Sequence, residues 1–357
     1  MYFFVYVRKD EFLILDVSSD DTKEAGKLFI KIRESIDQFV EENDFEVMYT
    51  ISGGSLALHS SENIEYSKVM KLTDFSLNEA KKRGRNRCYI FDEKDYSRFI
   101  RKGEITQEPR EARRNGFQGF VAFYQPVIEA KSGRLSGAES LMRFSSSKFG
   151  MVSPVEFIPI LEETGLIIPV GRWMMKEAME KCSQIRKVIP GFKVNINISQ
   201  VQVSKSDVII DIADEMEKVG LSPEAMNIEL TESDLLEGDI NTQHFLKELK
   251  RMGIKLALDD FGTGYSNFHY LSELDPEIIK IDRSFTSSAV ADEKEYYLLK
   301  QFCRMIHNLG LKICIEGVEN QEEWAKIQKL EPDFGQGFFW GRPCGYDEFV
   351  RQFIEKK

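Results

Sequence analysis

The stretch Ile254-Lys255-Leu256-Ala257-Leu258-Asp259-Asp260-Phe261-Gly262-Thr263-Gly264 decides how the rest of the chain is read. A short apolar run closed by glycines is the signature of a buried strand. Two adjacent carboxylates at its C-terminal end repel each other and cost desolvation unless a proton or cation sits between them. Strand C-termini are also where α/β folds gather their chemistry. Two readings stand open at this point. One Asp suits the N-cap of a helix starting near Tyr265. The pair equally suits half of a metal site.

Outward from this strand, the chain from Gly119 repeats a strand-then-helix unit. Strand candidates are Val121–Ile128, Arg134–Phe144, Lys193–Ser199, Met226–Leu230, Lys255–Asp259, Glu277–Ile281, Leu311–Ile315 and Asp333–Gly337. Helical spacing falls between most of them, at Pro154–Thr164, Arg172–Val188, Asp207–Val219, Thr242–Met252, Glu293–Leu309 and Glu319–Leu330. Such alternation over roughly 240 residues predicts an α/β fold, a (β/α)8 TIM-like barrel. Only Lys131-Ser132-Gly133-Arg134 separates the first two strands. That is a hairpin signal, so the first strand is expected to run antiparallel to the rest.

Residues 1–93 have a different rhythm, β-β-α-β-α-β. Tyr2–Val7 and Glu11–Asp16 read as strands, and Lys23–Val40 as a helix with Asp20-Asp21 as cap candidates. Phe45–Ala57 reads as a strand interrupted by Gly53-Gly54, Ser67–Lys82 as a helix stopped at Gly84, and Arg87–Phe91 as a last short strand. The basic run from Lys81 to Arg87 resembles a phosphate patch, but a solvated helix end complementing the macrodipole explains it as well. Residues 94–116 are charged and helix-compatible, a linker to a barrel over 117–357.

The 357 residues carry a formal net charge of −11. That argues against a nucleic-acid polymer as main partner, because phosphate backbones dominate such affinity. It leaves room for a small phosphate ligand held through cations. No apolar run approaches the roughly 20 residues that span a bilayer. The apolar opening Met1–Val7 is too short for a secretory core and has no basic flank before it. Five scattered cysteines, without C-x-x-C spacing, fit reduced thiols in a cytoplasmic protein.

Placed on the barrel, the polar residues crowd one rim. Glu139 lies in the second strand, Asn197 ends the third, and Glu229 and Glu232 mark the fourth. Asp259-Asp260 end the fifth, Lys280 the sixth, Glu316 and Glu319 follow the seventh, and Gln336 lies in the eighth. Each has a plain reading: a helix cap, a solvated lysine, a turn asparagine. Together, Glu139, Glu229, Asp259, Asp260 and Glu316 form a cluster that is untenable in a low-dielectric mouth without cations. Hard oxygen donors with one amide and no Cys or His cluster point to Mg2+ or Mn2+ rather than Zn2+. Two ions about 4 Å apart, sharing an Asp, suit in-line displacement at phosphorus. Lys280 would then orient the attacking water or neutralise phosphate charge, and Arg143 would hold a non-bridging oxygen.

From about Gly119 to its end the chain resembles the EAL-domain family, phosphodiesterases that open cyclic di-GMP to linear pGpG. The resemblance rests on Tyr124-Gln125-Pro126-Val127, Glu139-Ser140-Leu141, Glu156-Phe157-Ile158-Pro159, Asn197-Ile198-Ser199, Glu229-Leu230-Thr231-Glu232, Asp259-Asp260-Phe261-Gly262-Thr263-Gly264, Lys280-Ile281-Asp282, Glu316-Gly317-Val318-Glu319 and Gln336-Gly337, in order. It implies that Glu139, Asn197, Glu229, Asp259, Asp260 and Glu316 are the metal positions. It implies a catalytic set of Lys280 (which contacts the water), Glu139, Glu316 and a supporting Glu319. Gln336 also supports the site and faces the substrate, with Gln125 on a guanine and Arg143 on a phosphate. Glu232 matches the anchor of the loop after Asp260, coupling the site to a homodimer formed through the barrel. One departure is Ser140, where the signature has alanine. Strand alternation points it away from Glu139's side, so little effect is expected.

The first 93 residues resemble the later part of a GGDEF (diguanylate cyclase) domain. Arg8-Lys9-Asp10-Glu11-Phe12 aligns with the signature, and Glu79–Arg87 with the family's late helix end. Arg8-Lys9 stand where the family has the two glycines that allow a tight hairpin and close phosphate approach. The family's upstream metal and guanine residues would precede Met1, and the R-x-x-D inhibitory site has no counterpart. A cyclase-inactive, partial domain with an exposed sheet edge is expected, from a longer protein. The competing reading of the whole chain is a non-catalytic cyclic di-GMP receptor or signalling module. Such a receptor would be expected to lack metal ligands or the lysine, and here every one of these positions is filled.

Overall fold

The computed structural model describes residues 2–8, 10–17, 22–58, 65–231, 240–262 and 274–355. The chain divides into two compact units, Met1–Glu104 and Ile105–Lys357. The helix Glu93–Ala112 runs through the division point. Among the described residues no helix is long and apolar enough to cross a membrane.

In the first unit, β1 (Tyr2–Arg8) and β2 (Glu11–Asp16) form an antiparallel hairpin, with Tyr2 opposite Asp16. Helices Thr22–Glu42 and Tyr66–Lys82 alternate with β3 (Gly53–Ser55) and β4 (Cys88–Ile90), which pair in parallel. The order is the expected one, but the Phe45–Ala57 strand shrinks to three residues. Phe45, Val47 and Met48 are exposed, and no described strand pairs with them. Backbone groups without a ladder partner do not hold a strand. A small aromatic core centres on Phe75, which meets Tyr89, Phe91, Tyr96 and Phe99 with ring centroids 5.2–6.3 Å apart.

The second unit contains a closed barrel of eight strands. They are β5 (Phe120–Glu129), β6 (Leu135–Ser146), β8 (Lys193–Asn197), β9 (Met226–Thr231), β10 (Lys255–Phe261), β11 (Ile278–Ile281), β12 (Lys312–Ile315) and β13 (Phe334–Gln336). β5 is antiparallel to both its neighbours, β6 and β13, and the pairs from β6 round to β13 are parallel. The hairpin signal at Lys131–Arg134 therefore placed the inverted strand correctly. Two short strands, β7 (Gly150–Val152) and β14 (Cys344–Gly345), extend the sheet on β6 and β5.

Side chains on alternate positions do two jobs. Ile196, Ile228, Leu258, Ile279 and Ile315 point outward into the main core shared with the helices. Val127, Ala257, Ile278 and Cys314, with Phe334 against them, make a separate apolar cluster. The outward set and this cluster sit on opposite strand parities, so the latter fills the barrel interior. A second core, built on Phe120, Phe144, Phe157 and Leu161, takes in Ile105 and Ala112 from the end of the Glu93–Ala112 helix. That end is also tied down by Glu108, which accepts hydrogen bonds from Ser146 Oγ at 2.6 Å and Ser147 N at 2.8 Å.

Three differences from the sequence reading are local. The helix expected from Arg172 begins at Ile167. Pro169 falls in its first turn, where its missing N–H has no helical acceptor to lose. A helix not anticipated, Arg283–Ala291, is capped by Asp282, which accepts from Ser284 N at 2.8 Å. A short helix, Gln200–Lys205, carries a capping box between Ser199 and Gln202. The cap candidates Asp20 and Asp21, the loop anchor Glu232 and the segment beyond Gly262 with its expected helix near Tyr265 lie outside the described residues.

Candidate active site

Strand parity assembles the site. On β10, Asp259 lies two residues after the interior Ala257; on β11, Lys280 lies two after Ile278. Past β12, Glu316 lies two after Cys314, and on β13 Gln336 lies two after Phe334. Each step of two advances about 6.6 Å on the same face. The apolar cluster is thus a floor, and the charged groups stand one layer above it at the C-terminal end of the parallel strands. Glu139 reaches the same layer from β6, opposite Gln125 of β5 and Asn195 of β8.

Lys280 is the hub. Its Nζ lies 2.8 Å from Glu316 Oε1, 2.9 Å from Glu229 Oε2, 3.1 Å from Asp259 Oδ1 and 3.4 Å from Glu139 Oε2. Lys280 is 1 % exposed and Glu229 0 %. Burial works against the lysine's charge, but Asp259, Glu139, Glu229 and Glu316 outweigh it and hold the ammonium well above its ordinary range. It stays charged at neutral pH, a donor and a point charge and not a base.

One lysine does not balance the cluster. Glu139, Glu229 and Asp259 can bring one oxygen each within 4.8 Å of one another, and so can Asp259, Asp260 and Glu316. At an effective dielectric near 20, each such repulsion is about 3.5 kcal/mol and each contact to Lys280 about 5 kcal/mol. Six repulsions roughly cancel four attractions, and the desolvation of the carboxylates is left over. The acids respond accordingly. Burial, reinforced by Glu139 and Asp259, pushes Glu229 well above the usual carboxylate range. Burial, reinforced by Asp259 and Glu139 against Lys280, pushes Glu316 up to about 8. Burial and the neighbouring Asp259 push Asp260 up to about 6. Glu139 alone goes down: burial raises it, but Lys280 and hydrogen bonds from Gln336 and Asn197 win.

The two overlapping groups share Asp259, and all their donors are hard carboxylate oxygens. This set fits two Mg2+ or Mn2+ ions, with Asn197 and its amide oxygen at the edge. The backbone is shaped for it. Asp260 is held at φ 52°, an uncommon conformation for a non-glycine, which turns its side chain away from strand alternation. Gly317, at φ 69°, has no room for a Cβ, which would meet Arg283 Cβ at 2.4 Å. That lets the chain leave the barrel directly after Glu316.

The remaining expected residues are placed unevenly. Asn197 Nδ2 donates to Glu139 Oε1 at 2.8 Å, and Gln336 Nε2 donates to Glu139 Oε2 at 2.6 Å and to Gln125 Oε1 at 3.1 Å. Gln125 Nε2 donates to Gly341 O at 3.3 Å. Gln336 Oε1 is buried with no partner among the described residues. Arg143 is half-buried, donates to Met142 O and lies 5.7 Å from the Phe123 ring centre. Glu319 is not brought into the cluster; it accepts from Arg283 Nη2 at 2.6 Å. Ser140 is buried on the other strand face, and its hydroxyl donates to Asn195 O at 2.9 Å.

Two residues in contact with the site escaped the sequence reading. Asn195 Nδ2 donates to Glu229 Oε1 at 2.7 Å, and Asn227 Nδ2 donates to Asn195 Oδ1 at 2.8 Å. The signal was present. Asn195 and Asn227 lie two residues before Asn197 and Glu229, so alternation puts them on the same interior face.

A closed eight-stranded α/β barrel with one inverted strand and a carboxylate mouth defines the class. Residues 107–343 match the EAL domain family, and residues 4–87 match the family described as diguanylate cyclase, GGDEF domain. The chain belongs to the EAL domain family, with a partial GGDEF domain before the barrel. It is 31% identical over 348 residues to the signaling protein YkoW of Bacillus subtilis. It is 29% identical over 345 residues to the bifunctional diguanylate cyclase/cyclic di-GMP phosphodiesterase MucR of Pseudomonas aeruginosa. These alignments take in 97% and 96% of this chain but only 43% and 49% of those proteins, so the chain spans less than half their length. A solved structure, the PaMucR phosphodiesterase in complex with c-di-GMP, superposes with a TM-score of 0.65 at 28% identity. It covers 69% of this chain and 99% of that one.

Proposed function

We propose that the chain hydrolyses cyclic di-GMP to linear pGpG with two Mg2+ or Mn2+ ions. The observation that carries this reading is Asp259, shared by two carboxylate groups that together outnumber the one buried lysine between them. Glu139, Asn197, Glu229, Asp259, Asp260 and Glu316 would hold the ions. Bound there, the ions supply a water of lowered pKa and charge neutralisation on the phosphate. Lys280, a permanent ammonium, orients the attacking water by donating to it. Gln125 addresses the guanine side, Gln336 supports the site beside it on the substrate side, and Arg143 turns to a phosphate oxygen. Glu319 acts from outside the cluster through its pair with Arg283. Glu232 anchors the loop after Asp260 and links it to a homodimer through the barrel.

In the same reading, residues 1–93 are a cyclase-inactive regulatory segment and residues 94–116 the linker. Support comes from Arg8-Lys9 in place of the glycine pair. The test is incubation of the chain with cyclic di-GMP and either metal, scored for pGpG, with Glu139→Ala beside it. Product from the parent and none from the variant is expected. Tight binding without product in both metals would make the chain a receptor; no binding at all removes both readings.

A further inference from the structure

Below the carboxylate layer the barrel interior is asymmetric. On the side of β5 and β10–β13 it is apolar: Val127, Ala257, Ile278, Cys314 and Phe334. On the side of β8 and β9 it is a column of amides. Asn227 donates to Asn195, Asn195 donates to Glu229, and Glu229 accepts from Lys280 through its other oxygen. All four residues are buried. The direction of the column is set by its top. Ionised, as a cation ligand must be, Glu229 only accepts, so Asn195 turns its NH2 upward and its oxygen down, and Asn227 meets that oxygen with its own NH2. Asn227 Oδ1 is then left buried with no partner among the described residues. An aliphatic pair would leave no such orphan, so apolar filling does not explain the amides. What they do hold is Glu229. With Oε1 taken by Asn195, Oε2 is the oxygen that faces Lys280, on the side where Glu139 and Asp259 meet the same ammonium.

We propose that Asn195, oriented by Asn227, is a positioning residue that fixes Glu229 with one oxygen presented to a divalent cation shared with Glu139 and Asp259. The proposal rests on the metal-site reading above. Ser140 completes the clamp: its hydroxyl takes the backbone carbonyl of Asn195, securing the residue on β8 while its amide works inward.

The experiment is Mn2+ binding to the full chain by isothermal calorimetry, with thermal melting beside it. Partners that orient a metal ligand change affinity by about 10–100-fold when removed. Asn195→Ala should therefore weaken Mn2+ at least about tenfold, and Asn227→Ala by a smaller factor. The double variant should be no worse than Asn195→Ala, because Asn227 acts only through Asn195. An Asn195→Ala chain that folds and binds Mn2+ as the parent does would overturn the proposal, and so would losses that multiply in the double variant. If Asn195→Ala does not fold, parental affinity in Asn227→Ala overturns it instead. A parent chain that takes up no Mn2+ sinks the metal reading and this inference together. Parental binding that is lost in Asp259→Asn but untouched in both amide variants sinks the inference alone.

Discussion

Replacing Lys280 by Met keeps an unbranched stem of similar length in the barrel and removes the one cation that, among the described residues, contacts Glu139, Glu229, Asp259 and Glu316. The four contacts are large in gross terms, but the same carboxylates repel one another by a comparable amount. The net loss is better judged from broken buried ion pairs, which cost about 3–5 kcal/mol. For a domain of this size each kcal/mol moves the midpoint by about 2–4 °C, so the variant should melt about 6–20 °C lower in EDTA near pH 7.5. The carboxylates relieve the loss by taking protons. Without the lysine Glu229 and Glu316 rise further and Glu139 loses a partner that holds it down, so the deficit is largest at high pH and shrinks toward about pH 4, where unfolded carboxylates also protonate.

The assay is built into the sequence. All three tryptophans, Trp173, Trp324 and Trp340, lie in the barrel unit, so their fluorescence follows the barrel without the first unit. Excess Mn2+ supplies the missing positive charge and should raise the variant's midpoint by more than the parent's. If Lys280 donates to the attacking water as proposed, turnover of cyclic di-GMP should not return with stability, a loss of about 10²–10³-fold. An EDTA midpoint within 2 °C or so of the parent, or a Mn2+ shift no larger than the parent's, would refute Lys280 as the counter-charge of the cluster.

Other expectations follow from the same geometry. With Asp260 raised to about 6 and Glu316 to about 8, both acids favour the folded state fully only below their unfolded values, and that stability is lost as pH rises through 6 and then 8. The EDTA-treated barrel should therefore melt progressively lower from pH 5 to 8.5, and Mn2+ should flatten the slope; a midpoint that climbs over this window contradicts the assignment. Ser140→Ala removes one neutral hydrogen bond worth about 0.5–1.5 kcal/mol, and turnover should change by less than about tenfold. A larger rate loss would show that the hydroxyl's hold on Asn195 carries through to Glu229. Phe75→Ala takes the centre from the aromatic cluster of the first unit, at about 3–5 kcal/mol. Trypsin should then cut faster at Lys81, Lys82 and Arg85, and an unchanged cleavage rate would mean that this cluster does not hold the helix end.

How much of this was legible depended on periodicity and on how many residues share a decision. The barrel strands were readable because each is a short apolar run whose every second residue packs outward against helices. The inverted β5 was readable from one tight turn. The strand expected at Phe45–Ala57 had the right residue types, but a strand needs a partner, and pairing is not a property of the run itself. The helix at Arg283–Ala291 opens with Asp282 accepting from Ser284 N, a cap that a sequence search for long apolar periodicity passes over.

The site was legible for a physical reason that also explains its gaps. Parity on eight strands sends every second residue inward, so a charged residue at an inward position near a strand end has few places to go but the common mouth. Four carboxylates and one lysine could therefore be grouped before any distance was known, and Asp260 joined them only as the neighbour of Asp259. Where a side chain leaves strand geometry, parity stops informing. Glu319 lies beyond the turn at Gly317, and its direction is set by Arg283, the first residue of the helix Arg283–Ala291. Asn195 and Asn227 obey parity but are uncharged, and an uncharged amide does not by itself make a cluster untenable. What gives them meaning is the carboxylate at the top of their column. The charge requirement that singled out Asp259 and Asp260 thus extends downward: a site that must hold Glu229 against Lys280 and its fellow carboxylates also needs groups that fix how Glu229 is turned.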